Sequence, residues 1–205
     1  MNHPTIRTMS GATAPRTLDA SRSALLVIDF QNEYFSGRMP IQDGARALRN
    51  AQRLIAHADQ AKMPVFHVQH VTPAGSPVFA EGSAGVQFHR DLQPASHHAV
   101  LEKSSVSVFP TTDLDRRLRA AGVETLIIAG LMTHACVAGA ARDAVPLGYS
   151  VIVVDDACAT RDLDSSDGMS PGVTHAALHR AALASIDDTF GDILTTEQVL
   201  HLPLA

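Results

Sequence analysis

The stretch from Val123 to Gly148 constrains this chain more than any other. It opens with Thr125-Leu126-Ile127-Ile128-Ala129, an apolar run rich in branched side chains that reads as a buried strand. Gly130 ends the run, small helix-tolerant residues follow from His134 to Ala144, and Leu147-Gly148 reads as a stop. Thr133 is placed to cap that helix, which puts Cys136 in its first turn. Free N–H groups and the positive end of a helix dipole favour a thiolate there. Cys136 is therefore a candidate nucleophile. The competing reading is a small buried hydrophobe, the usual state of a free cysteine, and this stretch alone leaves both open.

The rest of the chain repeats the strand-then-helix pattern. Ser23 to Ile28 is a continuous apolar run of the kind found in strands covered on both faces, and it ends at Asp29. Helical spacing from Gly44 to Ala61 leads to a second strand at Pro64 to His70. Ala99 to Glu102 is a short strand running into Lys103, and Thr111 to Ala121 a helix. After the central stretch come a strand at Ser150 to Asp155, a polar loop from Asp156 to Pro171 that carries Cys158, and a helix at His175 to Ser185. A short strand at Gly191 to Leu194 and a terminal helix at Thr195 to Leu200 close the chain. Alternating strands and helices with fully apolar strands predict a single α/β domain. It has three layers, α/β/α, around a mostly parallel, Rossmann-like sheet of about six strands. Residues 1–20 show no period and read as an N-terminal arm, disordered or ordered by a neighbouring subunit. The segment 71–96 is long, rich in Gly, Pro and His, and reads as a functional loop.

Two common uses of such a fold are excluded at once. None of the 13 glycines lies two residues from another, so no GxGxxG fingerprint exists, and no glycine precedes a lysine, so there is no Walker A loop. A net charge of −5 with scattered basic residues gives no nucleic-acid stripe. The 2 cysteines make no disulfide framework, no apolar run is long enough to span a bilayer, and the first twenty residues lack a signal peptide's apolar core. A cytoplasmic protein with reduced thiols is the expectation.

What remains is a set of polar residues at strand ends. Asp29, Lys103 and Cys136 each follow an apolar strand, and in an open parallel sheet such ends share one rim. A carboxylate beside a thiol accepts its proton, and an ammonium between them stabilises both anions. Separately, Asp29 also reads as a helix N-cap and Lys103 as a solvated lysine.

Jointly, LLVIDFQNEYF around Asp29, EKSSVSVF around Lys103, IIAGLMTHACV around Cys136 and DDACATRD from Asp155 to Asp162 resemble the isochorismatase-like superfamily. These are the cysteine hydrolases that include nicotinamidase and N-carbamoylsarcosine amidase, and the likeness runs over residues 21–205 in the same order. The resemblance implies Asp29 as general base, Lys103 as an orienting and polarising group, and Cys136 as the nucleophile that forms an acyl-enzyme. It also implies a cis peptide at Leu131-Met132 and an oxyanion hole built from the Met132 and Cys136 N–H groups. Gln31, Phe35, Thr133 and His134 neighbour the catalytic positions and are expected to border the substrate. His70 reads as a pocket residue at a strand end or as a structural hydrogen bonder. In the long loop Phe79 and Phe88 are apolar wall candidates, or pins that hold the loop down.

Two departures narrow the function. Nicotinamidase-like relatives hold a metal with an aspartate-and-histidine cluster, but the segment 35–44 contains no histidine. His67 and His70 are three apart on a strand and point to opposite faces, and His97-His98 has no visible partner motif. No metal and no cofactor is expected. The presence of Cys136 favours hydrolysis of a C–N bond in a small amide, carbamoyl or lactam over isochorismatase-type vinyl-ether cleavage. A non-catalytic binding protein of the same fold is the other alternative, weakened by the intact Asp29-Lys103-Cys136 set. The resemblance further implies a homodimer or homotetramer acting on a small molecule, and the charge and hydropathy patterns above give neither nucleic acid nor membrane as an expected partner.

Overall fold

The structure, a computed structural model, describes residues 3–166, 168 and 171–205. Six strands form one all-parallel sheet, β1 (Ser23–Ile28), β2 (Val65–His70), β3 (Ala99–Lys103), β4 (Thr125–Leu131), β5 (Ser150–Ala159) and β6 (Asp192–Leu194), in the order β3-β2-β1-β4-β5-β6. Around it stand α1 (Ile6–Met9), α2 (Gly44–Gln60), α3 (Leu114–Ala120), α4 (Ala138–Ala144), α5 (His175–Thr189) and α6 (Thr196–Leu200).

Period two in β1 explains the layering. Leu25 and Val27 enter one apolar core with Ala47, Leu48, Ala51 and Leu54 of α2 and Val199 of α6. Ala24, Leu26 and Ile28 enter the other with Leu114 and Leu118 of α3, Ala140 and Ala141 of α4, and Leu183 and Ile186 of α5. Every residue of β1 is buried, as a central strand covered on both faces requires.

The strand order reverses direction between β1 and β4, because β2 and β3 lie to one side of β1 and β5 and β6 beyond β4. Connections leave in opposite directions there, and a crevice opens beyond the carboxyl ends of the two strands. Asp29 follows β1 and the Thr133–Val137 turn follows β4, so both candidate groups flank that crevice. Gly130 permits the close approach of the two strands. A Cβ there would stand 2.7 Å from the Ile28 Cβ and 2.8 Å from the Ile28 carbonyl oxygen.

Three elements differ from the sequence reading. The strand β5 continues through Cys158 to Ala159, because its pairing jumps from Ile128↔Val153 to Gly130↔Cys158. The extra residues bulge out and carry Asp155 and Asp156 away from the ladder. The helix expected from His134 starts at Ala138, after a π-helical turn over Thr133–Val137. The N-terminal arm is held by its own chain: Arg7 pairs with Asp192 at 2.8 Å, and buried Leu18 exchanges backbone hydrogen bonds with Pro203 and Ala205. Among the described residues no helix is long and apolar enough to cross a membrane.

Candidate active site

Asp29 sits where β1 ends. Its N–H donates to the Val68 carbonyl at 2.9 Å, and its backbone then turns at φ 57°, a left-handed value that aspartate tolerates better than most residues. The turn throws the carboxylate inward, fully buried. Lys103, the last residue of β3, reaches along the rim and is also buried. Its Nζ lies 2.9 Å from Asp29 Oδ2, 2.9 Å from His70 Nδ1, 3.2 Å from the Ser105 carbonyl and 3.4 Å from Cys136 Sγ. The contact with Asp29 is a charge contact, since neither carboxylate oxygen receives a well-directed hydrogen bond. The Cys136 thiol faces the same carboxylate. Thus the structure brings Asp29, Lys103 and Cys136 together, with His70 as a fourth member.

Protonation follows from burial. Loss of water raises the Asp29 pKa above the usual carboxylate range, opposed by the charge of Lys103. Burial, with the Asp29 charge adding to it, pushes the Cys136 thiol up to about 12. The thiolate expected from a helix start is therefore not the resting form. Cys136 lies within a π turn rather than in the first turn of an α-helix, and desolvation outweighs the help of Lys103. His70 falls to about 4 through burial and the adjacent ammonium. It is neutral, accepts from Lys103 at Nδ1, and carries its proton on Nε2. The site thus holds a neutral thiol beside a buried carboxylate–ammonium pair.

The Thr133–Val137 turn is tied down on both sides. Thr133, expected as the helix cap, makes no capping bond; its Oγ1 lies 2.8 Å from His179 Nδ1, and His179 Nε2 lies 2.7 Å from Asp155 Oδ1. With the proton on Nε2 held by Asp155, the Thr133 hydroxyl donates to Nδ1. On the other side His134 Nδ1 lies 2.6 Å from Thr160 Oγ1. The Leu131–Met132 peptide that leads into this turn is cis.

Other expected substrate contacts are spent on structure. Gln31 is buried, donates from Nε2 to the His70 and Val86 carbonyls at 2.8 and 2.7 Å, and accepts the His70 N–H at 2.9 Å. It fixes the end of β2 to the long loop and has no polar atom left for a ligand. Phe35 packs on His89 in a tilted pair, with ring centres 4.3 Å apart. Phe88 packs on the buried His67, on the strand face opposite His70, at 5.9 Å. Phe79 is the loop phenylalanine on the His70 side, edge-on to Tyr34 at 5.1 Å and to His70 at 5.2 Å. The loop folds inward there at a Phe79 φ of 52°.

His97 and His98 do have a partner, which their sequence neighbourhood hides. Both place Nε2 2.9 Å from Asp59 Oδ1. His98 Nδ1 accepts the Ala95 N–H at 3.1 Å, so its Nε2 bears the proton and donates to Asp59. That polarity suits a carboxylate rather than a metal at Nε2. Arg161, just past β5, lies near Tyr34 and His134 and is not singled out by the sequence reading. Among the described residues it has one bond, from Nη1 to the Asp162 carbonyl at 3.2 Å, and its buried Nε has no partner. Its charge reaches Tyr34 and His134. An arginine directly after a strand of an open α/β sheet is the signal that could have found it.

An all-parallel doubly wound sheet with a buried thiol, carboxylate and ammonium on its carboxyl rim defines an α/β protein of the cysteine-hydrolase type. The isochorismatase domain profile matches residues 23–198, and the chain belongs to the isochorismatase family. It is 37% identical over 180 residues to the isochorismatase family protein YddQ of Bacillus subtilis, covering 87% of this chain and 98% of that one. It is 34% identical to the secreted isochorismatase effector Isc1 of Verticillium dahliae, covering 94% and 97%. A crystal structure of an isochorismatase from Pseudomonas putida superposes with a TM-score of 0.88 at 30% identity, covering 96% and 99%. More distant relatives include the maleamate amidohydrolase of Pseudomonas putida, 29% identical over 196 residues, with 88% and 86% covered.

Proposed function

We propose that this protein hydrolyses a C–N bond of a small amide, carbamoyl or lactam substrate through a covalent thioester on Cys136. The observation that carries the reading is the buried contact set of Lys103 with Asp29 and Cys136 at the switch point of the sheet. Asp29 takes the thiol proton as Sγ attacks the carbonyl carbon. Its burial-raised pKa makes it a stronger base than a solvated carboxylate, and transfer leaves the buried cluster's total charge unchanged. The electron pair moves onto the carbonyl oxygen, which the N–H groups of Met132 and Cys136 receive as an oxyanion hole. Collapse expels the amine, which takes its proton from Asp29. Water then gives a proton to Asp29 and attacks the thioester; collapse releases the acid, and Asp29 returns the proton to the departing Cys136 thiolate. Lys103 stays charged throughout and offsets the anion wherever it resides. Each step is assigned to a side chain or a backbone N–H of this chain. The relatives named as amidohydrolases support the C–N assignment.

The test is intact-protein mass spectrometry with a panel of amides, lactams and ureides, with ammonia release assayed in parallel for wild type and Cys136→Ala. An acyl adduct on wild type and turnover that vanishes in the variant are expected. Turnover retained by Cys136→Ala would sink the covalent mechanism.

A further inference from the structure

The long loop covers a second cavity, none of whose walls belongs to the Thr133–Val137 turn. It has a volume of about 300 Å³ and lies between the turn after β1, residues 32–37, and the loop segment 76–85. The two walls are fastened to each other. Asn32 Nδ2 donates to the Ala84 carbonyl at 3.1 Å, and the Glu33 N–H to the Gly85 carbonyl at 2.9 Å. The cavity is therefore part of the fold rather than a gap between loose ends.

Glu33 is the acid in its wall, only 5% exposed. Its Oε1 accepts the Arg38 N–H at 2.5 Å. Its Oε2 has neither a hydrogen bond nor an ion pair among the described residues, yet it is not sealed from water, which leaves it facing the cavity. The Arg38 guanidinium, the nearest cation in sequence, is turned instead to the Pro77 carbonyl at 3.3 Å. Two glycines hold the carboxylate where it is. A Cβ at Gly37 would stand 2.8 Å from its carboxyl carbon, and one at Gly85 would collide with Oε2. A largely buried carboxylate oxygen without a donor is a standing cost that a ligand relieves.

The rest of the wall selects the kind of donor. The carbonyls of Pro77, Val78, Phe79, Ala80, Ala84 and Gly85 already accept from Arg38, the Thr72 hydroxyl, the Thr72 N–H, the Ser83 N–H, Asn32 and Glu33. A calcium ion takes about six to eight oxygen ligands, and this cavity offers one uncommitted carboxylate oxygen. An ammonium group needs fewer acceptors. Ser83 Oγ accepts the Val86 N–H at 3.3 Å and keeps a second lone pair. It lies 3.7 Å from the same Gly85 Cβ position that Oε2 crowds, so the two oxygens flank one spot. The proline, valine, phenylalanine and alanine side chains suit a short alkyl chain. The volume stands at the small end of ligand pockets, roughly 300–1,000 Å³.

We propose that the Glu33 cavity binds a small organic cation through its primary ammonium group, with N–H donated to Glu33 Oε2 and the alkyl part against Val78 and Ala80. Phe79 forms one wall and also meets His70, with ring centres 5.2 Å apart, so an occupant reaches the Asp29–Lys103–Cys136 cluster through those two side chains. The site stands independently of the C–N hydrolysis proposed above.

The experiment titrates the intact protein with propylammonium, ethanolamine and putrescine. The controls are 1-propanol, which lacks the charge, and tetramethylammonium, which lacks the N–H. Calorimetry reads affinity, and the amide ¹⁵N shifts of Gly37 and Gly85 read location. At least one primary ammonium is expected to bind and to shift both glycines, and both controls to fail. Glu33→Gln keeps an oxygen for the Arg38 N–H and turns an amide NH2 to the cavity, so binding should weaken roughly 10- to 100-fold. Ser76→Phe fills the cavity with Glu33 in place and should abolish binding, so the test survives if one variant fails to fold by circular dichroism. Absence of ammonium binding at millimolar concentration overturns the proposal, as does affinity unchanged in the folded variants. Equal shifts with potassium or calcium chloride would mark an inorganic-cation site and overturn the ammonium assignment.

Discussion

Lys103 Nζ lies 2.9 Å from Asp29 Oδ2 with both side chains sealed from water. Two opposite charges buried together are tolerable; either alone is not. Lys103→Met leaves the Asp29 charge without its counterion, and Asp29→Asn does the same to Lys103. Each single variant is expected to lose about 3–5 kcal/mol in urea unfolding and nearly all activity. The double variant should regain most of the stability and none of the activity. Additive losses in the double variant would show that the pair is not coupled.

The Cys136 thiol, pushed up to about 12, is predicted to react slowly with iodoacetamide at neutral pH, well below the rate of a free cysteine. The acid limb of kcat/KM should report Asp29 and fall above the pH at which an ordinary aspartate titrates. Rapid alkylation at pH 7 would mean that a thiolate is the resting form after all.

Stability should also depend on mild acid. Buried His67 and half-buried His70 both drop from 6.5 to about 4 in the fold, His67 through burial and the neighbouring His98, His70 through burial and Lys103. Between pH 6.5 and 4 the unfolded chain binds protons that the folded chain refuses, so their contribution is complete above 6.5 and is lost as pH falls towards 4. His67 is the cleaner probe, because solvent screens His70 more. His67→Gln is expected to flatten the unfolding free energy over that window by about 1–3 kcal/mol. A slope equal to that of wild type would refute the assignment.

How much of this is legible in the sequence follows from range along the chain. The strand β1, the helix α2 and the three rim residues rest on local patterns: an unbroken apolar run, a helical period and a polar residue closing a strand. The resemblance joins Asp29, Lys103 and Cys136, which no local pattern connects. The arm defeats a local reading because Leu18 is held by Pro203 and Ala205 at the far end of the chain. The last part of β5 reads as loop because Asp155 and Asp156 interrupt its apolar pattern, and a bulge absorbs them. Gln31 lies two residues after Asp29 in sequence, which suggests a ligand contact. Its amide is consumed instead by carbonyls 39 and 55 residues away. The state of Cys136 depends on burial, which sequence position near a helix start does not reveal.

The Thr133–His179–Asp155 chain supports the nucleophile turn from α5 and β5. His179 does not touch the reacting groups and acts as a positioning residue. Its removal is expected to lower kcat about tenfold with little change in KM, because the turn carries the nucleophile and the proposed oxyanion donors. Thr133→Ser retains the hydroxyl and should keep most activity, whereas Thr133→Val should match His179→Phe. If Thr133→Val and Thr133→Ser behave alike, the hydrogen bond has no part in placing the turn.

Gly130 offers the sharpest test of how the fold sets the site. A methyl group there meets the Cβ and carbonyl oxygen of Ile28, the residue before Asp29, at 2.7 and 2.8 Å. Both belong to central strands with apolar layers on each side, so neither strand has room to step back. Overpacking of this kind costs about 1–3 kcal/mol, and the displaced backbone is the one that aims Asp29. Gly130→Ala should therefore lower Tm and reduce kcat/KM further than an equally destabilising change remote from the rim, such as Leu54→Val in α2. Equal activity in the two variants at matched stability would show that the Asp29 backbone tolerates the shift, and that its position is set by Lys103 rather than by the strand pair.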